Sequence, residues 1–299
     1  MLNNHKLACY LVFSCLVTGS ISNDEIDRCD GDANVEKPQY NAGTSSLDLG
    51  GRLALVTGAA CGIGRSVAMG LARENVTVIV ADINTTGGPE TVSMLPNLNQ
   101  HLKHMALYVD VRNSTSVKYL VECIESTYNM SISIVVNSAG ILHHITPLVN
   151  LSEAIFDDVI NTNLKGTFLV TKEAVKHMLS RNVTRAAIVN IASILGKGGF
   201  PGLGAYTASK GGVVAFTKSV ALELATKGIR VNVILPGLTD TPMIQKYSSS
   251  DITTRLAAMI PMQRIAKPLE ISETILFMCS PKASYMTGAS IDVAGGSKT

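Results

Sequence analysis

The sequence predicts an α/β protein built on a single doubly wound parallel sheet with helices on both faces. Three observations carry that expectation. Short, continuously apolar runs recur along the chain, as strands buried on both faces require. Longer helix-like segments separate most of them, and a glycine-rich turn joins the first run to the first helix. Hydrophobic residues make up 46% of the chain and charged residues 16%, which excludes a disordered protein and supplies a large core. At 299 residues the chain is near the upper limit for one such core.

The elements follow in order. Leu53-Ala54-Leu55-Val56 is the first buried strand, followed by the turn Thr57 to Gly64 and a helix carrying Val67 and Leu71. Residues 76–81 form a second strand that ends at Asp82, and further apolar runs occupy 106–109, 132–136, 187–191, 231–235 and 291–293. Helices are expected over 153–180, 205–226 and 268–280. Strands alternating with helices imply right-handed crossovers, so residues 51–299 read as one domain.

Residues 1–50 differ in character. Residues 7–17 are an apolar run between Lys6 and a small-residue stretch, so 1–22 reads as a signal-like or targeting segment. Residues 23–49 are polar and read as a linker. Lys+Arg of 25 against Asp+Glu of 23 gives a net charge of +2, which excludes the electrostatic footprint of a nucleic-acid binder. The six cysteines are scattered with no CxxC pair, so neither a metal site nor a disulfide framework is expected.

The chemistry-bearing residues lie in two groups. Gly58, Gly62 and Gly64, with Cys61 and Ile63 between them, stand where a strand hands over to a helix. Such a turn lets a pyrophosphate approach the backbone and the positive end of the helix. Asp82, eighteen residues after Gly64, ends the second strand where a carboxylate can bond ribose hydroxyls and repel a 2′-phosphate. That favours NAD(H) over NADP(H). In the second group, Tyr206 and Lys210 are four apart on a helix and share a face. A nearby cation favours the phenolate, so this tyrosine can exchange a proton with a carbonyl or alcohol. Ser193 follows a buried strand and can hold the substrate oxygen beside Tyr206. Asn163 is a polar break in a helical stretch.

The motifs Thr57-Gly58-x3-Gly62-x-Gly64, Asp82, Asp110-Val111, Asn137-Ser138-Ala139-Gly140, Asn163, Ser193, Tyr206/Lys210, Pro236-Gly237 and Thr241 occur in this order. Together they resemble the short-chain dehydrogenases/reductases over residues 51–297. The resemblance implies a Rossmann-like fold with Tyr206 as acid/base. Lys210 would bind the nicotinamide ribose and lower the tyrosine pKa, Ser193 would polarise the carbonyl, and Asn163 would hold a relay water. It also implies that Asp110 and Val111 flank the adenine, that Asn137 lies beside the cofactor, and that Thr241, after the Pro236-Gly237 turn, meets the carboxamide. Ser138 departs from the family's Asn-Asn-Ala-Gly turn.

Within the family, Asn163 to Thr171, Gly196-Lys197, Thr241-Pro242-Met243 and Met259 to Met262 resemble two groups. These are the 3-oxoacyl-(acyl-carrier-protein) reductases and the estradiol 17β-dehydrogenases of the NAD-dependent kind that pairs with a carbonyl reductase in mitochondrial fatty-acid synthesis. This implies 3-hydroxyacyl or 3-oxoacyl thioesters as substrate, small or carrier-bound, with 17β-hydroxysteroids or a non-catalytic NAD-binding role as alternatives. It further implies a homotetramer or a heterotetramer with a related subunit. It also implies a mitochondrial location, against which the signal-like N-terminus competes. Leu142, Ile145, Leu195, Phe200, Leu203, Leu238, Met243, Ile244 and Met259 are expected over the nicotinamide. Lys197, Lys227 and Arg230 are expected to offer charge to an acidic carrier or to coenzyme phosphates.

Overall fold

The computed structural model describes residues 47–96, 98, 102–247 and 250–297. The signal-like segment and the linker as far as residue 46 lie outside the described residues. The linker was expected to reach residue 49, yet Leu49 is fully buried in the core and Asp48 pairs with Arg185 at 2.7 Å. The domain therefore begins before residue 51, because a leucine at that point has apolar surface to cover.

In chain order the domain comprises β1 (Leu53–Thr57), α1 (Gly62–Arg73), β2 (Thr77–Asp82), α2 (Gly87–Met94) and β3 (Met105–Tyr108). Then come α3 (Ser114–Thr127), β4 (Ile132–Asn137), α4 (Glu153–Ile160), α5 (Gly166–Ser180), β5 (Ala186–Ile191) and α6 (Leu195–Gly198). It closes with α7 (Gly204–Leu224), β6 (Ile229–Pro236), α8 (Pro242–Tyr247), α9 (Ser250–Met259), α10 (Pro268–Cys279) and β7 (Ser290–Val293). The seven strands form one parallel sheet in the order β3-β2-β1-β4-β5-β6-β7. The chain changes direction across the sheet between β1 and β4, and that switch point opens a crevice at the strands' carboxyl ends.

Alternation along β1 divides the core. Ala54 and Val56 face Val67 and Leu71 of α1 and Ile275 and Met278 of α10. Leu53 and Leu55 face Leu120 and Ile124 of α3, Val170 of α5 and Leu224 of α7. Both faces are apolar, so the strands carry continuous apolar runs rather than an alternating pattern.

One expected element is divided. The helix over 153–180 is interrupted by a π-helical segment, Asn161–Lys165, between α4 and α5. Insertions of this kind concentrate at functional sites, and this one contains Asn163.

Candidate active site

The glycine turn is dictated by contact with its neighbours. Gly58 has φ +63, and a Cβ there would stand 2.6 Å from Ala139 in the turn after β4. A Cβ on Gly64 would stand 2.1 Å from the Gly58 carbonyl oxygen, so the start of α1 can approach β1 only without a side chain. Cys61 takes an extended backbone as N-cap, its side chain makes no capping bond, and the first turn of α1 holds no acidic residue. Ile63, beside it, packs on the core. The helix start is thus a positive, backbone-lined cradle suited to a pyrophosphate. Thr241 lies across it, its methyl 3.3 Å from the place of a Cβ on Gly62.

Asp82 stands at the side of this cradle. One carboxylate oxygen accepts from the Ala60 N–H at 2.9 Å and the other from the Asn84 N–H at 2.9 Å. Arg65, the residue after Gly64, is buried beneath the turn. It donates to the Thr91 hydroxyl at 2.9 Å and to the Ala60 carbonyl, while Thr91 donates to the Ala59 carbonyl at 2.9 Å. Arg65 and Thr91 were not foreseen as contributors; the arginine adjoining the glycines was the available signal.

The second group converges beyond β4 and β5. Ser193, just past β5, lies near enough to the hydroxyl of Tyr206 on α7 to draw its pKa downward, and its own hydroxyl accepts from the Leu195 N–H at 3.2 Å. The Lys210 ammonium lies 5.7 Å from the Tyr206 ring centre and donates to the Ile191 carbonyl at 2.9 Å. A Cβ on Gly140 would lie 3.1 Å from Asn163 Oδ1 and 3.4 Å from Lys210 Nζ, so the Ser138-Ala139-Gly140 turn borders both. Asn163 accepts from the Ile141 N–H at 2.8 Å and donates to the Ile141 carbonyl at 2.9 Å and the Ser209 hydroxyl at 3.0 Å. Its side chain is therefore a clamp on the turn after β4. Ser209, beside Lys210 in sequence, completes the clamp and was not foreseen.

Burial sets the electrostatics. It pushes the Tyr206 phenol above its ordinary value. It also pulls the Lys210 ammonium down to about 8. Desolvation is the larger influence on the tyrosine, and the pull of Ser193 only partly offsets it.

Protein contacts also fix the residues at or just past the ends of β3, β4 and β6. The Asn137 side chain is buried and donates to Thr171 at 3.0 Å and to Asn190 at 2.8 Å, tying the end of β4 to α5 and β5. Val111 belongs to the core and closes on Gly166, whose Cβ would meet it at 2.7 Å. Burial acts to raise Asp110, but hydrogen bonds and charge from Arg112 outweigh it and hold the carboxyl below its ordinary value. The two groups meet at 2.9 Å. Pro236 ends β6. Gly237 is required by Ala294, to which a Cβ would come within 2.9 Å. Leu238 borders a separate cavity of about 90 Å³ with Ile260 and Met262. Lys197 is engaged by Asp292 at 2.6 Å. Lys227 and Arg230 lie at the start of β6, at the amino-terminal ends of the strands, whereas Ser193 follows the carboxyl end of β5. These three cations form no single patch beside the site.

A parallel sheet with its glycine cradle at the switch point, and a Ser-Tyr-Lys cluster beyond β4 and β5, defines a nucleotide-dependent dehydrogenase or reductase. A family model described as enoyl-(acyl carrier protein) reductase matches residues 58–298. The chain belongs to the short-chain dehydrogenase/reductase family, oxidoreductases that act on hydroxyl and keto groups with a nicotinamide cofactor. It is 40% identical to human (3R)-3-hydroxyacyl-CoA dehydrogenase over 249 residues, covering 82% of this chain and 94% of that protein. It is 39% identical over 250 residues to the Thermotoga maritima 3-oxoacyl-(acyl-carrier-protein) reductase, covering 84% of this chain and 99% of that one. Among solved structures, the Brucella melitensis 3-ketoacyl-(acyl-carrier-protein) reductase complexed with NADH superposes with a TM-score of 0.76. That pair is 30% identical over 83% of this chain and 98% of the other.

Proposed function

We propose that the protein is an NAD(H)-dependent oxidoreductase that interconverts 3-hydroxyacyl and 3-oxoacyl thioesters. The observation that carries this reading is the Ser193-Tyr206-Lys210 cluster beside a glycine cradle whose flanking residue is Asp82. The substrate class follows the relatives' names.

The cradle fits the cofactor, since the start of α1 carries no acidic side chain and no side-chain cap, and the glycines let the loop close on β1 and the turn after β4. The N–H groups at the start of α1 would hold the pyrophosphate, Asp82 the adenosine ribose, and Lys210 the nicotinamide ribose. When bound, the nicotinamide supplies or accepts the hydride. Asp82 disfavours a 2′-phosphate by charge, and Arg65 offers no compensation because its guanidinium is turned under the loop to Thr91 and Ala60. In the reducing direction, the Tyr206 hydroxyl delivers its proton to the carbonyl oxygen while the Ser193 hydroxyl donates a hydrogen bond to the same oxygen. A phenol pushed up by burial stays protonated at neutral pH, which suits donation. Lys210, with a pKa of about 8, sits where it can stabilise the phenolate as it forms.

The reading extends to assembly. Phe156 of α4 and Phe168 of α5 are each 40% exposed, and Phe168 meets Phe216 of α7 edge to face at 6.1 Å. We propose that this face packs against a second subunit in a homotetramer or heterotetramer.

The test is initial-rate kinetics with acetoacetyl-CoA, comparing NADH with NADPH. Saturation at much lower NADH is expected. Tyr206→Phe should lower kcat by about 10²-fold or more while NADH binding persists. Turnover with NADPH alone would overturn the cofactor assignment. Unchanged turnover in the tyrosine variant would overturn the mechanism. Activity on 17β-hydroxysteroids but not on thioesters would replace the substrate class.

A further inference from the structure

At the amino-terminal edge of the sheet, opposite the site, three guanidiniums line a pocket of about 560 Å³. Arg52 immediately precedes β1, Arg185 immediately precedes β5, and Arg230 is the second residue of β6. Two are anchored by the carbonyl end of α10. Arg52 donates to the Cys279 carbonyl at 3.1 Å, to the Ser133 hydroxyl and carbonyl at 3.1 and 2.8 Å and to the Arg185 carbonyl at 2.8 Å. Arg230 donates to the carbonyls of Met278, Ser280 and Met286 at 2.8, 3.0 and 3.3 Å. These bonds fix the side chains without neutralising them. No aspartate or glutamate lines the pocket, and Asp48, outside the lining, takes Arg185 at 2.7 Å.

Counter-charge is short. Burial opposes the charged form of both Arg52 and Arg230, and for Arg52 the guanidiniums of Arg185 and Arg230 add to the opposition, which Asp48 offsets only in part. Cys279 lines the pocket, but burial pushes its thiol up to about 12, so it is neutral at physiological pH. The carbonyl end of α10 supplies only about half a negative charge. Hence the pocket holds like charges in partly desolvated surroundings, and a multivalent anion is the species that relieves them.

We propose that this pocket binds a phosphate-bearing small molecule, at a place separate from the cofactor cradle. Its volume lies within the usual range for ligand pockets, roughly 300–1,000 Å³. Arg185, the least engaged of the three, can turn its planar fork to phosphate oxygens, while Arg52 and Arg230 contribute fixed positive charge. The proposal does not depend on the catalytic reading, since none of the residues involved belongs to the site.

The chain contains no tryptophan, and Tyr285 lines the pocket while fully exposed. Tyr285→Trp therefore installs a single tryptophan, which can be excited selectively, at the proposed site. Inorganic pyrophosphate and, separately, ADP would be titrated into the full chain at low salt, with and without saturating NADH. A saturable emission change that survives NADH is expected, with affinity falling steeply as salt is raised. Adding Arg185→Gln should weaken binding about tenfold. Arg185 is the variant of choice because its side chain is 59% exposed and bonds Asp48 rather than α10; an unchanged melting temperature would verify folding. A response to ADP alone that persists with NADH still supports the site and makes the nucleotide part of its ligand. No saturable response, equal responses to sodium chloride at matched ionic strength, or an unaltered affinity in the Arg185 variant would overturn it. So would an ADP signal abolished by NADH with pyrophosphate silent, which would place the binding in the cofactor cradle.

Discussion

Lys210 has to act as a cation where burial opposes charge. Its ammonium is satisfied by the Ile191 carbonyl, yet its pKa falls from 10.5 to about 8. The sign of the consequence follows from proton counts. Between about pH 8 and 10.5 the unfolded chain keeps the lysine proton and the folded chain has released it, so stability rises with pH across that window. Below it, the full cost of burying the charge is present. Denaturant midpoints of wild type and Lys210→Met should therefore diverge in favour of the wild type as pH is raised from 7.5 to 9.5. Parallel curves would show that the lysine is not desolvated in solution. Tyr206 is shifted upward from its ordinary value of 10.0, beyond the pH range of this comparison. The Tyr-x-x-x-Lys spacing announced the two residues in sequence. The direction of their pKa shifts was not readable there, because it depends on how much of the surrounding chain excludes water.

At the scale of an element, the π-helical segment between α4 and α5 is what turns Asn163 inward. Regular helix would carry the same residues on a different face, and the clamp on Ile141 and Ser209 would be lost. Asn163→Ala leaves the N–H and C=O of Ile141 without these partners, each costing about 1–3 kcal/mol. A stability loss of about 2–4 kcal/mol is expected. Because Gly140 borders Lys210, kcat should also fall, by about tenfold or more, with KM for NADH changing less. Normal kcat in a destabilised protein would reduce Asn163 to a purely structural role. The sequence showed a polar break at this place but not its geometry, since one extra residue in a helical turn leaves hydrophobic periodicity almost unchanged. The strands were more legible: the run 132–136 became Ile132–Asn137, and 187–191 became Ala186–Ile191. A strand buried on both faces has no polar face to blur its ends.

At the scale of the whole molecule, the exposed aromatic face of α4 and α5 and the arginine pocket under the sheet lie away from the catalytic cluster. Light scattering at micromolar concentration should give a tetramer mass. Phe168→Asp should weaken association by at least roughly 30-fold, the effect of removing one interface hot spot. A monomeric wild type would refute the assembly.

The sequence by itself determined the doubly wound sheet and the order of its strands along the chain. It also determined the glycine cradle and the chemical types gathered beyond β4 and β5. These rest on local facts: continuous apolar runs, glycines where no Cβ fits, and a phenol and an ammonium one helical turn apart. Only the tertiary structure decided the rest. Asn137 and Val111 turn into the core because of the face they occupy. Arg230 belongs to the far end of the strands because β6 carries it there, and Arg65 is spent beneath the loop because Thr91 and Ala60 meet it. A residue's type is written in the chain. Its partners, its burial and therefore its charge are set by segments tens to hundreds of positions away.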